Sequence, residues 1–463
     1  MKQNVTYSIG NIALIDKVNE KFGLFDSCFD GVFGRAKEVK ETAKALAANR
    51  LGGCVSTHRL TEVYPQEFFR EVGFKDTPAE RNLYRNIERI GQRSPVLLER
   101  YQSLVKKHGL VSVEQFMDFS SSYFEGNKSK LGALGYSRDS QPGKRQITFG
   151  ISTGMNDIPS ALTIQKGNLQ DKKHMRVMLK TFGKVAEPNS LVIFDCGGNT
   201  KANKKKIRAM GFHYLTLKPK KRSVYNRFLA MFKKGEKQKI VSSGTEYLCV
   251  KVVDGEEVNY VFYSEKLRKD QLRKKTKKFK RELAKNDKLL PKVARGKDLD
   301  KLVSTQGYIV THGQLQKALD KTPNPYITGL EGFFILESSV DAEPEKILTL
   351  YKNRDKAEKL IRNMKEGTEL RPMRHWSKFA VIGYLFIVFL TNCLASLTHF
   401  LTENPEVKNL KLLKKYLNNL TVTVIYPKKA LQLRLLSNIS TVTSAIFGDF
   451  IHRYGSVDID LRW

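Results

Sequence analysis

The run Phe379 to Leu397, FAVIGYLFIVFLTNCLASL, constrains this chain more than any other stretch. It is nearly uncharged and long enough to cross a bilayer. A helix of that composition has two places to go: lipid, or a protein core that surrounds it. Asn392, Cys393 and Ser396 interrupt the apolar run, and no second run of its kind occurs. Burial in a core is therefore the expectation, with a single membrane span as the alternative. A core that encloses such a helix needs many partners. With 463 residues, 41% of them hydrophobic, the chain has material for two or three domains.

Charge narrows the class. Lys and Arg number 81 against 47 Asp and Glu, a net charge of +34. An excess of that size calls for a polyanionic partner, most simply nucleic acid, or else an acidic membrane surface. The five cysteines, Cys28, Cys54, Cys196, Cys249 and Cys393, are odd in number and form no CxxC pair, so reduced thiols in a cytosolic protein are expected. The opening MKQNVTYSIGNIALIDKV lacks the apolar run of a signal peptide.

Residues 1–110 are expected to be helical and basic. ETAKALAANRLGG reads as a helix stopped by Gly52 and Gly53. DTPAERNLYRNIERI reads as a second, with Asp76 or Thr77 as its cap, and Leu97 to Lys107 as a third. Arg81, Arg85, Arg89 and Arg93 are interleaved with Leu83, Ile87 and Ile90. Short helices of a helix-turn-helix kind on DNA, or an ordinary bundle with solvated arginines, both fit that pattern.

From Val111 strands take over. VEQFMDFSSSYFEG, KRQITFGIST and SALTIQK predict three strands in a meander. A helix near Asp171–Phe182 comes next, then the apolar strand Leu191 to Phe194, a Gly197-Gly198 turn, a helix capped by Asn199 or Thr200, and the strand FHYLTL. Such alternation predicts a mixed α/β sheet. Residues 218–332 interrupt it with a hairpin turning at Asp254-Gly255 and the basic stretch Lys266–Lys297, for which phosphate contact or a solvated helix are the options. YITGLEGFFILES returns to strand character.

Three separated carboxylates stand out. Asp118 lies mid-strand, where an acid is costly unless it is paired or binds a metal. Asp195 ends a buried strand at a Gly-rich turn, the edge where open α/β sheets bind ligands, although an Asp there can also simply cap the turn. Glu358 lies in TLYKNRDKAEKLIRNMK, predicted as one helix whose stripe carries Tyr351, Arg354, Glu358 and Lys365, joined by Arg362. Taken alone, that stripe reads first as a solvated face with weak ion pairs. Three carboxylates can hold two Mg²⁺ about 4 Å apart for phosphodiester chemistry. No Cys/His cluster has zinc spacing, no GxxxxGK loop occurs, and no Ser/His/Asp set points to a nucleophile.

The sequence resembles the DDE transposases of insertion sequences, of the insertion-sequence-four superfamily. The resemblance runs from about Val113 to His399 and rests on Tyr351, Arg354, Glu358 and Lys365 at that group's spacing. MDFSSSYFEG, GYSRDSQPGKRQITFGIST, PSALTIQKGNLQD, VIFDCGGNT and RPMRHW support it. It implies a ribonuclease-H-like catalytic core in two parts, 111–217 and 333–405, around an insertion subdomain at 218–332. A helical DNA-binding domain at 1–110 precedes the core and a C-terminal region at 406–463 comes after it. The resemblance implies Asp118, Asp195 and Glu358 as the metal-binding acids, with two Mg²⁺ that Mn²⁺ can replace. Tyr351, Arg354, Lys365, Arg362, Arg371 and Arg374 would contact DNA. Such an enzyme cuts at its element's terminal inverted repeats and joins the 3′-ends to target DNA as a homodimer on paired ends, in the cytoplasm at the nucleoid and without a membrane. Where relatives often carry Arg after the second acid, this chain has Cys196. The alternative is a catalytically inactive or recruited DNA-binding descendant.

Overall fold

The computed structural model describes residues 3–293, 324–402, 404–428 and 431–456. The end of the basic stretch Lys266–Lys297, residues 294–323 of the expected insertion, and the chain beyond 456 lie outside the described residues. The chain divides into two compact units. The first comprises Met1–Ile193, Thr200–Phe212 and Asn353–Trp463; the second comprises Phe194–Asn199 and His213–Lys352.

The first unit opens with strand β1 (Val5–Ser8) and helices α1 (Gly10–Phe22), α2 (Leu24–Phe29), α3 (Val39–Leu51), α4 (Leu60–Val63), α5 (Gln66–Val72) and α6 (Glu80–Lys107). Helix α6 corrects two expectations. It starts after Ala79, which makes no side-chain cap, rather than at Asp76 or Thr77. It also runs unbroken through Pro95, where two helices were expected. Pro95 has no N–H to give the Gly91 carbonyl. The Ser94 hydroxyl donates to that carbonyl instead, at 3.0 Å, and the helix continues. Leu83, Ile87 and Ile90 are buried, Arg81, Arg85 and Arg93 are exposed, and Arg89 is half-buried with Nη1 donating to Asn86 Oδ1 at 2.9 Å, all on one long helix rather than on short ones.

Strands β2 (Glu114–Tyr123), β3 (Gln146–Gly154) and β4 (Pro159–Lys166) form the expected antiparallel meander, with Asp118 opposite Ile151. Helix α7 (Asp171–Phe182) and strand β5 (Leu191–Phe194) come next, and the strand order here is β4-β3-β2-β5. Helix α8 (Lys201–Ala209) is capped by Thr200, whose hydroxyl accepts from Asn203 N.

The second unit holds β6 (His213–Leu217), α9 (Arg222–Lys234), β7 (Gln238–Ser242), β8 (Thr245–Asp254), β9 (Glu257–Tyr263), α10 (Glu265–Val293), β10 (Phe333–Ser338) and α11 (Pro344–Lys352). Its strands are antiparallel in the order β6-β10-β9-β8-β7. The hairpin turns at Gly255, whose φ of 64° suits a residue without Cβ. Tyr225, Phe228 and Phe232 of α9 pack on Val250, Val261 and Ile335 to make this unit's core.

The chain returns to the first unit with α12 (Asp355–Arg362), a π-helical turn at Asn363–Gly367, α13 (Lys378–Thr398), α14 (Leu410–Asn419), β11 (Thr421–Lys428), β12 (Leu431–Ser437) and α15 (Thr441–Phe447). Strand β11 pairs with both β1 and β12, which ties the ends of the unit together. The apolar run is α13, and 89% of its most apolar stretch is buried inside the protein. Each large apolar side chain buried this way contributes about 1.5–3 kcal/mol. Its polar residues are satisfied locally. Thr391, Asn392 and Thr398 each donate to the carbonyl four residues back at 2.8 Å, and Asn392 also reaches Thr368 Oγ1 at 3.1 Å.

Helix α13 crosses α6 at two glycines. A Cβ on Gly91 would stand 1.8 Å from the Phe379 carbonyl oxygen, and one on Gly383 would stand 2.0 Å from that of Ile87. Only hydrogen lets the two backbones approach that closely.

Candidate active site

Asp118 sits in β2 between the buried Phe116 and Met117 on one side and Phe119 and Ser120 on the other. Its carboxylate keeps 22% exposure, and its cost is met by charge. Arg354 stands just before α12, and α12 packs on β2 and β3. Arg354 Nη1 lies 3.7 Å from Asp118 Oδ1, while Nη2 bonds Glu358 Oε1 one turn on. One guanidinium thus joins two of the three expected acids. Glu358 lies in the first turn of α12, where the helix dipole favours negative charge. Beside it, Lys356 Nζ bonds both oxygens of Asp157 at 2.8 and 2.9 Å.

The predicted single helix from Tyr351 to Lys365 is corrected. Helix α11 stops at Lys352, α12 starts at Asp355, and Asn353 and Arg354 turn the chain between them. A second departure comes at Asn363–Gly367, where the helix widens to a π turn. The extra residue per turn shifts the helical phase of the residues beyond it. Lys365 leaves the stripe and is buried, 7% exposed. Its ammonium bonds Asp139 Oδ1 at 2.7 Å, and Arg371 Nη1 shares that oxygen at 2.9 Å. Arg371 also bonds Glu366 at 2.6 Å. Burial pushes the Lys365 ammonium below the ordinary lysine value, against the pull of Asp139. Arg362 and Arg374 are exposed.

Asp195 belongs to the second unit, just after the end of β5. It caps the short 3₁₀ turn Cys196–Gly198 by accepting from Cys196 N at 2.6 Å, and Thr216 Oγ1 donates to its backbone carbonyl at 3.4 Å. Next to it Asn199 Nδ2 reaches the Leu217 carbonyl at 3.0 Å and Glu337 Oε2 at 3.2 Å. Lys218 Nζ lies 3.0 Å from the same oxygen of Glu337, whose side chain is 1% exposed. Tyr351, on α11, is half-buried in this unit, where Lys352 donates to the Ser242 carbonyl at 3.3 Å.

Asp139 and Glu337 are the acids that sequence reasoning passed over. Glu337 carried the same signal as Asp118, an acid inside an apolar strand run, FFILES. Asp139 lies in a loop where nothing local marks it. Among the described residues no group of three or more His, Cys, Asp or Glu side chains could hold a metal ion. As donors, the carboxylates of Asp118 and Glu358 suit a hard divalent cation in kind, and both now hold a guanidinium.

Comparison with known proteins gives three results. The family described as transposase DDE domain matches residues 115–394. Curated proteins give no match. A solved structure, the cryo-EM structure of the piggyBac transposase synaptic complex with hairpin DNA, is similar with a TM-score of 0.43 and 10% identity, over 88% of this chain and 77% of that one.

Proposed function

The chain belongs to the transposase DDE-domain family, and from that premise we propose that it is a DNA transposase. It cuts phosphodiester bonds at the terminal inverted repeats of its insertion sequence and joins the 3′-ends to target DNA. The observation that carries this reading is the family match over 115–394. It spans Asp118, Asp195 and Glu358, and within it Arg354 already links Asp118 to Glu358.

In this reading β2–β5 belong to a ribonuclease-H-like core, residues 218–332 are its insertion, and residues 1–110 help to bind element ends. The carboxylates of Asp118, Asp195 and Glu358 would hold two Mg²⁺. When bound, such ions activate the attacking oxygen and stabilise the leaving one. The protein's own part is to gather the acids and hold the DNA. Arg354, whose guanidinium lies between Asp118 and Glu358, is placed to pair with a backbone phosphate beside those acids. Tyr351, Arg362 and Arg374 hold the strand in register. Lys365 and Arg371, both bonded to Asp139, tie the loop at 138–139 to the chain after α12. Work on paired ends by a homodimer, in the cytoplasm and at the nucleoid, completes the proposal.

The test is Mg²⁺-dependent cleavage of DNA carrying the element's own terminal inverted repeats. Wild type should cut at the ends, while Asp118→Asn, Asp195→Asn and Glu358→Gln should bind the same DNA and lose cleavage. A single variant cutting at the wild-type rate removes that residue from the triad. No cleavage by wild type, with binding intact, moves the assignment to a recruited DNA-binding descendant.

A further inference from the structure

Away from the acids, the first unit has a cleft of about 350 Å³ between the end of α3, the Ser56–His58 turn, α6 and the loop before α13. Its lining includes Arg50, Arg371, Arg374, His375, Tyr84 and Tyr384. Arg50 is the unusual member. It is 4% exposed, its Nε is sealed off without an acceptor, and its side chain makes no hydrogen bond or ion pair among the described residues. Its guanidinium lies against the face of Tyr384, 5.0 Å from the ring centre. That cation–π contact offsets only part of what burying a charge without a counter-ion costs.

The neighbours add to the same field. Arg374 is exposed and makes no ion pair among the described residues, and the only carboxylate in the lining is that of Glu369. His375 packs against Tyr384 at 4.8 Å and Tyr84 at 5.8 Å between ring centres. Burial first, then the charge of Arg50, pushes its imidazole down to about 4, so at neutral pH it is an uncharged ring with an N–H to donate.

We propose that this cleft is a phosphate-binding site, with the buried Arg50 guanidinium as its anchor and Arg374 and His375 as further donors. A planar guanidinium matches phosphate with two parallel hydrogen bonds. The arriving anion supplies the partner that Arg50 lacks. The volume leaves room for the sugar or base attached to the phosphate, and the rings of Tyr84 and His375 offer apolar faces for it. Resting on the transposase reading, the source of the phosphate is the backbone of bound DNA; a free phosphate compound would present the same group.

The experiment uses the full chain, wild type, Arg50→Gln and Arg374→Gln. The first arm measures thermal stability in inorganic phosphate against chloride at equal ionic strength. The second measures binding of a DNA duplex against salt. Wild type should be stabilised specifically by phosphate, and both variants should lose that stabilisation. The slope of log affinity against log salt should become shallower by about 0.9 for each backbone phosphate that a variant no longer neutralises. In chloride, Arg50→Gln should be no less stable than wild type, since it removes an uncompensated buried charge; a purely structural arginine would show the opposite. No phosphate-specific stabilisation, with unchanged slopes, overturns the site. Phosphate stabilisation abolished in the variants with slopes unchanged overturns DNA as the source in favour of a free phosphate compound. If Arg50→Gln does not fold, the exposed Arg374→Gln decides. Neither arm depends on cleavage, so failure of this site is separate from failure of the catalytic triad.

Discussion

Asp139 offers the sharpest perturbation of the site's foundations. Its carboxylate is 1% exposed and takes Lys365 at 2.7 Å and Arg371 at 2.9 Å on the same oxygen. Asp139→Asn keeps the shape and removes the charge. Arg371 loses little, since its side chain is 29% exposed and retains Glu366. Lys365, with its side chain 8% exposed, is left as a buried cation without a counter-charge. Breaking a buried pair from one side costs about 3–5 kcal/mol. Lys365→Met alone leaves Asp139 with Arg371 and should cost less, about 1–2 kcal/mol. The double variant Asp139→Asn with Lys365→Met should recover most of the stability, because no buried charge remains unpaired. Hydrogen exchange of peptides from β3 and α13 reads the opening free energy of this unit directly. A coupling energy near zero, with the double variant as unstable as the sum of the singles, refutes the argument.

Other expectations rest on single contacts. Gly383→Ala places a methyl carbon 2.0 Å from the Ile87 carbonyl, so α6 and α13 must separate. Overpacking of that kind should cost about 1–3 kcal/mol or more and lower the melting temperature, whereas Gly244→Ala, with open space around it, should suffer only its φ of 67°. Acid should destabilise both units over different windows. In the first, His375 titrates near 4 when folded against 6.5 unfolded, so the unfolded chain binds more protons and stability falls as pH drops from about 6.5 to 4. In the second, burial raises Glu331, but Lys275 and the Thr328 donors bring it down to about 2 from 4.5, so its contribution is complete above pH 4.5 and is lost as pH falls towards 2. Unit-specific exchange against pH, with Glu331→Gln and His375→Phe as controls, checks both; an unchanged profile in either variant contradicts the corresponding assignment.

Much of the element list was legible because it depends on local periodicity. The meander β2–β4, the strand β5 leading into Asp195, the Asp254-Gly255 hairpin and the single apolar helix all announce themselves within ten or twenty residues. Family membership was legible too, because a signature such as Tyr351, Arg354, Glu358 and Lys365 is a pattern in sequence whatever the backbone does. The conformation of that signature was not. The break at Asn353 and Arg354 and the π turn after Arg362 are changes of helical phase, and no propensity in KNRDKAEKLIRNMKEG marks either.

What the sequence determined by itself was charge, class and the identity of the acids worth testing. Tertiary structure decided which charges meet. Lys365 finds Asp139 across 226 positions of chain, Arg354 finds Asp118 on a strand far upstream, and Arg50 finds an aromatic face but, among the described residues, no anion. Pro95 stays inside a helix because Ser94 caps the carbonyl it orphans, and α6 can touch α13 because two glycines coincide at one crossing. Coulomb and contact energies act between groups within a few ångströms of one another. Sequence separation says nothing about that distance until the chain has folded, so periodicity can forecast the elements but not the partners of their side chains.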